Sequence, residues 1–292
     1  MSRFRVLRPR VYWSSCPSTE DLKALLKQGL SLVVDLTEDE CYYQVPEGVR
    51  KLAFPIPDFS FRSPELVFHS VIEPVKEEVE GGGSVLLHCM GGIGRSGTLA
   101  AMLLVALDGL TLEGALSRVK KLGGGPQVPA QFVSLKWFER NLAALGYSKY
   151  LFFSGLLSKL NWPDADRISS RVNLALDIFT ELGIAKGSRT FEELFECLLK
   201  SLTPGSFWAS SRRLCELMDS SGAISEVVGV AELLGNVFEG EGLYIGLENR
   251  EGRVYILLNG FKTSGGLVAS LRKFVESSQH LRGVLDVVEV FE

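Results

Sequence analysis

In the segment His88-Cys89-Met90-Gly91-Gly92-Ile93-Gly94-Arg95-Ser96-Gly97, the residue types and their spacing converge on one kind of chemistry. Ser84 to Leu87 before it reads as a buried strand, and the apolar run from Arg95 to Leu107 after it reads as a helix. A turn between them aims backbone N–H groups at one point in front of a helix N-terminus, a site suited to an anion. Three glycines within four positions, Gly91, Gly92 and Gly94, let the chain curl there without Cβ clashes. The helix terminus favours the charged form of a thiol, so Cys89 is expected to be a nucleophilic thiolate facing the anion pocket. Arg95, six residues on, can return its planar fork to two equatorial oxygens of a phosphoryl group, a geometry Lys cannot copy. Ser96 offers a hydroxyl toward the sulfur that eases its departure as a leaving group. The cradle itself would be Met90, Gly91, Gly92, Ile93 and Gly94 together with Arg95. The bland reading is a glycine-rich turn holding a chance buried cysteine.

The stretch resembles the C-x5-R signature of the cysteine-based protein phosphatases, in the form HCMGGIGRSG. It is most similar to the small dual-specificity type, including compact versions found in archaea, and the resemblance covers about residues 1 to 146. It implies a metal-independent phosphomonoester hydrolase acting on phosphotyrosine, and on phosphoserine or phosphothreonine, through a cysteinyl-phosphate, with no cofactor. The family takes its general acid from a loop upstream of the cysteine. The matching place is Phe54-Pro55-Ile56-Pro57-Asp58-Phe59, which assigns the acid to Asp58; a solvent-facing turn Asp is the alternative. Gly125 to Gln131 is similar to the segment before the family's last helix. Gln131 is therefore the candidate for positioning water, with Gln127 behind it, although either could be a polar residue at a helix start. His88 is expected to be a buried hydrogen-bonding residue that shapes the loop, and Asp35 to be scaffold. A protective Cys41–Cys89 disulfide would need a short separation. Phe59 and Ile93 are expected to border a shallow pocket.

Other users of the signature are phosphoinositide phosphatases, RNA 5′-triphosphatases and idle phosphate-binding modules. The loop lacks the lysines common in lipid-directed members. Asp58 and an acidic balance disfavour RNA, and an idle module would be expected to lose Cys89, Arg95 or Asp58. A sulfurtransferase also uses a cysteine in an anion-binding turn, but the arginine spacing and Ser96 suit phosphate better. Trp162-Pro163-Asp164 repeats the tripeptide that names the acid loop of large tyrosine phosphatases, yet it follows the cysteine, so we read it as coincidence. Asp164-Ala165-Asp166 does not fit an aspartate nucleophile, because no strand leads into it.

The elements that must position these residues alternate. Arg5 to Trp13 is β-rich, Ser18 to Leu30 has helical spacing, and Leu32 to Leu36 is a short buried strand. Pro64 opens a helix that glycines 81 to 83 end, and helices near 111 to 122 and 129 to 145 follow the central one. This order predicts an α/β fold with a mainly parallel sheet flanked by helices over residues 1–150. Tyr147 to Leu160 reads either as a final helix or as an apolar connector, so 151–166 is taken as the linker. Residues 167–292 are read as a separate α+β domain, with helices near 167–182, 191–202, 207–220 and 267–278 and strands near 243–247, 254–258 and 284–291. That domain is expected to dock substrate or a regulator. Asn259 to Gly266 could bind an anion but lacks phosphate-loop spacing, and an ordinary loop is the better reading.

Composition limits the rest. The net charge is −4, without the basic excess of a nucleic-acid binder. Five scattered cysteines and three dispersed histidines offer no metal-ligand spacing and suggest a reducing cytosol. Leu99 to Leu107 is about half a membrane span, and the basic N-terminus lacks a secretory h-region. The expectation is a soluble cytoplasmic protein with a phosphorylated protein as its partner, and neither nucleic acid nor membrane.

Overall fold

The structure is a computed structural model that describes residues 4–39, 41–183, 188–202, 223–235, 244–259 and 265–290. The chain divides into two compact units, Met1–Lys159 and Leu160–Glu292.

The first unit opens with a hairpin, not a single strand: β1 (Arg5–Arg8) pairs antiparallel with β2 (Val11–Ser14). Pro9 presets the turn, and Arg10 takes the left-handed φ of 66° that reverses the chain. Helix α1 (Thr19–Leu26) begins at a capping box in which Ser18 and Asp21 bond each other's backbone, and it buries Leu22 and Leu25. It leads into β3 (Leu30–Asp35). A further strand, β4 (Arg50–Ala53), lies at the sheet edge with a charged, largely exposed sequence that carries no alternation. The fully buried β5 (Ser84–His88) runs parallel to both β2 and β3, giving the order β1-β2-β5-β3-β4. Apart from β1 the sheet is parallel, and the catalytic candidates follow the end of its central strand.

The helix opened by Pro64 is interrupted. α2 (Pro64–Val67) passes through a π-helical turn at Phe68–Ile72 into α3 (Glu73–Glu80). Pro74 has no N–H for the carbonyl four residues back and its ring crowds that carbonyl. The turn widens, and the Glu73 N–H reaches the Phe68 carbonyl instead. α4 (Gly94–Asp108) is buried over most of its length and ends at left-handed Gly109. α5 (Leu112–Lys121) is capped by Thr111. α6 (Pro129–Leu157) bends at Gly146 and continues, so residues 151–157, expected as linker, are helical. The reason is aromatic: Tyr147 and Tyr150 pack on Phe68 with ring centroids 4.9 and 4.7 Å apart. Buried Glu65 accepts hydrogen bonds from Asn141 Nδ2 (2.8 Å) and the Tyr150 hydroxyl (3.1 Å).

The second unit contains α7 (Trp162–Glu181), α8 (Ser188–Leu202) and α9 (Ala223–Gly235), then β6 (Tyr244–Arg250), β7 (Arg253–Asn259), α10 (Gly265–Ser277) and β8 (Leu285–Val290). β6 pairs antiparallel with β7, and β7 parallel with β8 across α10. α7 begins five residues before the expected start because Asn161 caps it. α9 was not expected; its Gly229 lies under Phe274, where a Cβ would come within 2.4 Å of the ring. The expected helix at 207–220 and most of the Asn259–Gly266 loop lie outside the described residues. No helix among the described residues is long and apolar enough to cross a membrane.

Cys16, after β2, forms a disulfide with Cys41, after β3, with Cα atoms 5.7 Å apart. This departs from the reducing-compartment expectation, since such bonds persist mainly under oxidising conditions. Closing a loop of this span stabilises by about 3 kcal/mol in the chain-entropy picture. Cys16→Ser should therefore lower the urea midpoint by an amount corresponding to roughly 2–4 kcal/mol. An unchanged midpoint in Cys16→Ser would show that the bond contributes no stability.

Candidate active site

Cys89 directly follows β5 and α4 begins five residues later, so the glycine-rich turn is folded between a strand end and a helix N-terminus. The Gly92 N–H donates to Cys89 Sγ at 3.3 Å, and Ser96 Oγ lies 3.1 Å from the sulfur. The loop is backed by the chain after β2, where the Cys16 N–H donates to the Met90 carbonyl at 3.0 Å. Gly92 has φ 67°, and a Cβ on it would stand 2.5 Å from the Ser15 nitrogen. That position therefore requires glycine, whereas a Cβ on Gly91 would meet open space.

Arg95 is only 2% exposed. Its Nη1 donates to the Ile56 carbonyl at 2.8 Å, and its Nη2 lies 3.3 Å from Asp58 Oδ1. The upstream loop thus brings Asp58, the candidate acid, to the arginine, with its side chain 58% exposed. Phe59 supports the turn with φ 54°, its N–H donating to Asp58 Oδ1 at 3.1 Å. Gln131 lies beside the cysteine loop, where a Cβ on Gly94 would stand 3.2 Å from its Nε2. It is buried, donating from Nε2 to the Ser60 carbonyl (3.2 Å) and accepting the Gln127 N–H on Oε1 (2.7 Å). A carboxamide engaged at both ends braces the acid loop. Gln127 is the exposed member of the pair, with its Oε1 beside Gly94.

His88 is fully buried below the nucleophile, between Ser14 and Asp35 on the neighbouring strands. Its Nε2 lies 2.8 Å from the Tyr43 hydroxyl and 3.6 Å from Asp35 Oδ1. Burial lowers the imidazole to about 4, against the opposing pull of Asp35, so the ring is neutral near pH 7. Burial works to raise Asp35, but His88, Lys51 (2.7 Å) and Thr37 together hold it below the ordinary carboxylate range. This polar cluster fixes the end of β5. Cys41 is bonded to Cys16, and Cys89 is a free thiol, so the expected Cys41–Cys89 pairing is not formed.

Trp162 to Asp164 opens α7, with the Asp164 N–H bonded to the Asn161 side chain at 3.0 Å and the carboxylate paired with Arg167. It is a helix cap, not an acid loop. Sequence reasoning missed Arg5, Trp13 and Tyr43. Each is an ordinary strand or loop residue by type, and only its neighbours across the fold give it a place at the site. Phe59, Met90, Ile93 and Phe132 are exposed apolar residues carried by the acid loop, the cysteine loop and the start of α6.

The family model "Tc-R-P: Polymorphic toxin system, DSP-PTPase phosphatase" matches residues 9–108. Among solved structures, the archaeal Tk-PTP in its active form is 35% identical, over 47% of this chain and 97% of its own, with a TM-score of 0.44. A mouse putative dual specificity phosphatase complexed with zinc tungstate is 21% identical, over 50% of this chain and 92% of its own, with a TM-score of 0.46. PTPMT1 in complex with PI(5)P is 19% identical, over 49% and 97%, with a TM-score of 0.45. No curated protein matches the chain. With the serine of the signature against the cysteine sulfur, its arginine buried and held by the Asp58 loop, and 35% identity along nearly the whole of Tk-PTP, the chain belongs through its N-terminal unit to the dual-specificity and tyrosine phosphatase family.

Proposed function

We propose that the N-terminal unit hydrolyses phosphomonoesters of phosphoproteins, phosphotyrosine foremost, through a cysteinyl-phosphate on Cys89. The observation that carries this reading is the sulfur, which accepts the Gly92 N–H and lies 3.1 Å from Ser96 Oγ, in a loop whose buried arginine is paired with Asp58. In the first step Sγ attacks phosphorus, an S–P bond forms, and the ester P–O bond breaks as Asp58 gives its proton to the leaving oxygen. The Arg95 fork holds two equatorial oxygens. Their binding displaces Asp58 from the guanidinium edge and frees the carboxyl for the leaving group. In the second step water attacks phosphorus, Asp58 takes its proton, and the S–P bond breaks to return the thiolate, with Ser96 hydrogen-bonded to the departing sulfur. Gln127, exposed beside Gly94, is placed to orient that water. Arginine neutralises the phosphoryl charge and aspartate supplies the proton, so the chemistry calls for no metal.

Phosphotyrosine is favoured by the apolar rim of Phe59, Met90 and Ile93, and by phenol, with a pKa of about 10, leaving more readily than an alkanol. The test is release of phosphate from para-nitrophenyl phosphate and from phosphotyrosine and phosphothreonine peptides in EDTA. Turnover should persist in chelator, fastest on the aryl esters. Asp58→Ala should depress turnover of the phosphothreonine peptide by about 10² to 10⁴. The nitrophenyl ester, whose leaving group needs little protonation, should suffer less. Loss of activity in EDTA, or an undiminished rate on the phosphothreonine peptide in Asp58→Ala, would refute the mechanism. No release from any substrate by folded protein would make the site a phosphate-binding module.

A further inference from the structure

Trp13, at the third position of β2, is fully buried, and its Nε1 lies 2.8 Å from Ser96 Oγ. The indole is seated by its surroundings. A Cβ on Gly124 would come within 2.4 Å of Cη2 and one on Gly97 within 3.3 Å of Cζ2, so both glycines leave room for the ring. The Arg5 guanidinium stacks over it at 4.4 Å from the ring centroid while donating to the Gly92 carbonyl. Ser96 is buried too, so water does not compete for its hydroxyl.

An indole N–H can only donate, so Ser96 Oγ must accept from it. A serine hydroxyl has a single proton. With Oγ accepting from Trp13 and the sulfur 3.1 Å from the same oxygen, that proton is directed to Cys89. We infer that Trp13 is a positioning residue that sets the direction of the Ser96 hydroxyl, making it a fixed donor to the Cys89 sulfur. The inference rests on Cys89 being the nucleophile, as proposed above. A hydroxyl preset in this way stabilises the thiolate before attack and again as it leaves phosphorus, without reorientation at either step. Left free to rotate, the same hydroxyl could turn its proton to a backbone carbonyl and present a lone pair to a negatively charged sulfur.

The test replaces Trp13 with β-(3-benzothienyl)alanine, which keeps the shape of the indole but has sulfur in place of N–H, and separately with Phe. Each is made in the parent and in a Ser96→Ala background, with Cys89→Ser as control and melting curves to verify folding. In the parent, turnover of para-nitrophenyl phosphate should fall about five- to tenfold, and the acidic limb of the kcat/KM profile should move to higher pH. In the Ser96→Ala background the same replacements should change turnover less than twofold, because the hydroxyl they orient is gone. Equal losses in both backgrounds would show that Trp13 acts by packing alone. An unchanged rate with the benzothienyl analogue in the parent would overturn the inference. If Cys89→Ser stays active, the cysteine mechanism fails instead, whatever the Trp13 variants do.

Discussion

Cys89→Ser should lose turnover by on the order of 10⁴-fold or more while keeping its affinity for inorganic phosphate within about tenfold. The exchange is nearly isosteric, and the groups around the sulfur, the Gly92 N–H and the Ser96 hydroxyl, are supplied by other residues and remain. Arg95 also keeps its tethers to Ile56 and Asp58, so the anion site stays assembled. What changes is the attacking atom: a serine hydroxyl is a far weaker nucleophile toward phosphorus than a cysteine sulfur. Acid quenching during turnover should trap phosphate covalently on the parent and not on the variant. Retained turnover, or a phosphoenzyme in Cys89→Ser, would remove this cysteine from the mechanism.

Arg95→Lys is expected to lower kcat/KM by about 10² to 10⁴. The guanidinium would make two charge-assisted hydrogen bonds to equatorial oxygens, each worth about 1.5–3 kcal/mol, and the ammonium retains the charge but not the fork. Burial adds to the loss, because the lysine cannot both hold the Ile56 carbonyl and reach the phosphoryl group. The decline should fall more on kcat than on KM, since the planar transferring group matches the fork better than the tetrahedral ester does. A rise in KM with an intact kcat would give Arg95 ground-state binding only. A near-normal rate would contradict the arginine's role altogether.

Elements with a strong local signal were readable from the chain. β3 and β5 are continuous apolar runs, α1 announces its start by Ser18 and Asp21, and α4 is apolar throughout. Others were not. β4 has the charged sequence RKLA, which makes a strand only because β3 offers it an edge. The β1–β2 turn places Arg10 at a positive φ where glycine is the usual signal. Pro74 widens a helix that periodicity alone reads as regular. Of the site, spacing and order pointed to Cys89, Arg95, Ser96 and Asp58 as candidates, whereas the bonds that Gln131 makes to Ser60 and Gln127 join segments that no local pattern relates.

By itself the sequence determined the strand end, the glycine-rich loop and the helix start that hold Cys89 and Arg95, because these are local events within ten residues. Tertiary structure decided what surrounds that loop. The Cys16–Cys41 bond, the Tyr43–His88–Asp35 cluster beneath the cysteine and the Trp13 N–H aimed at Ser96 join positions separated by 25, 45 and 83 residues. Such pairings follow from which strands lie side by side and which side chains remain buried between them. They depend on the path of the whole sheet, and no window of sequence contains it.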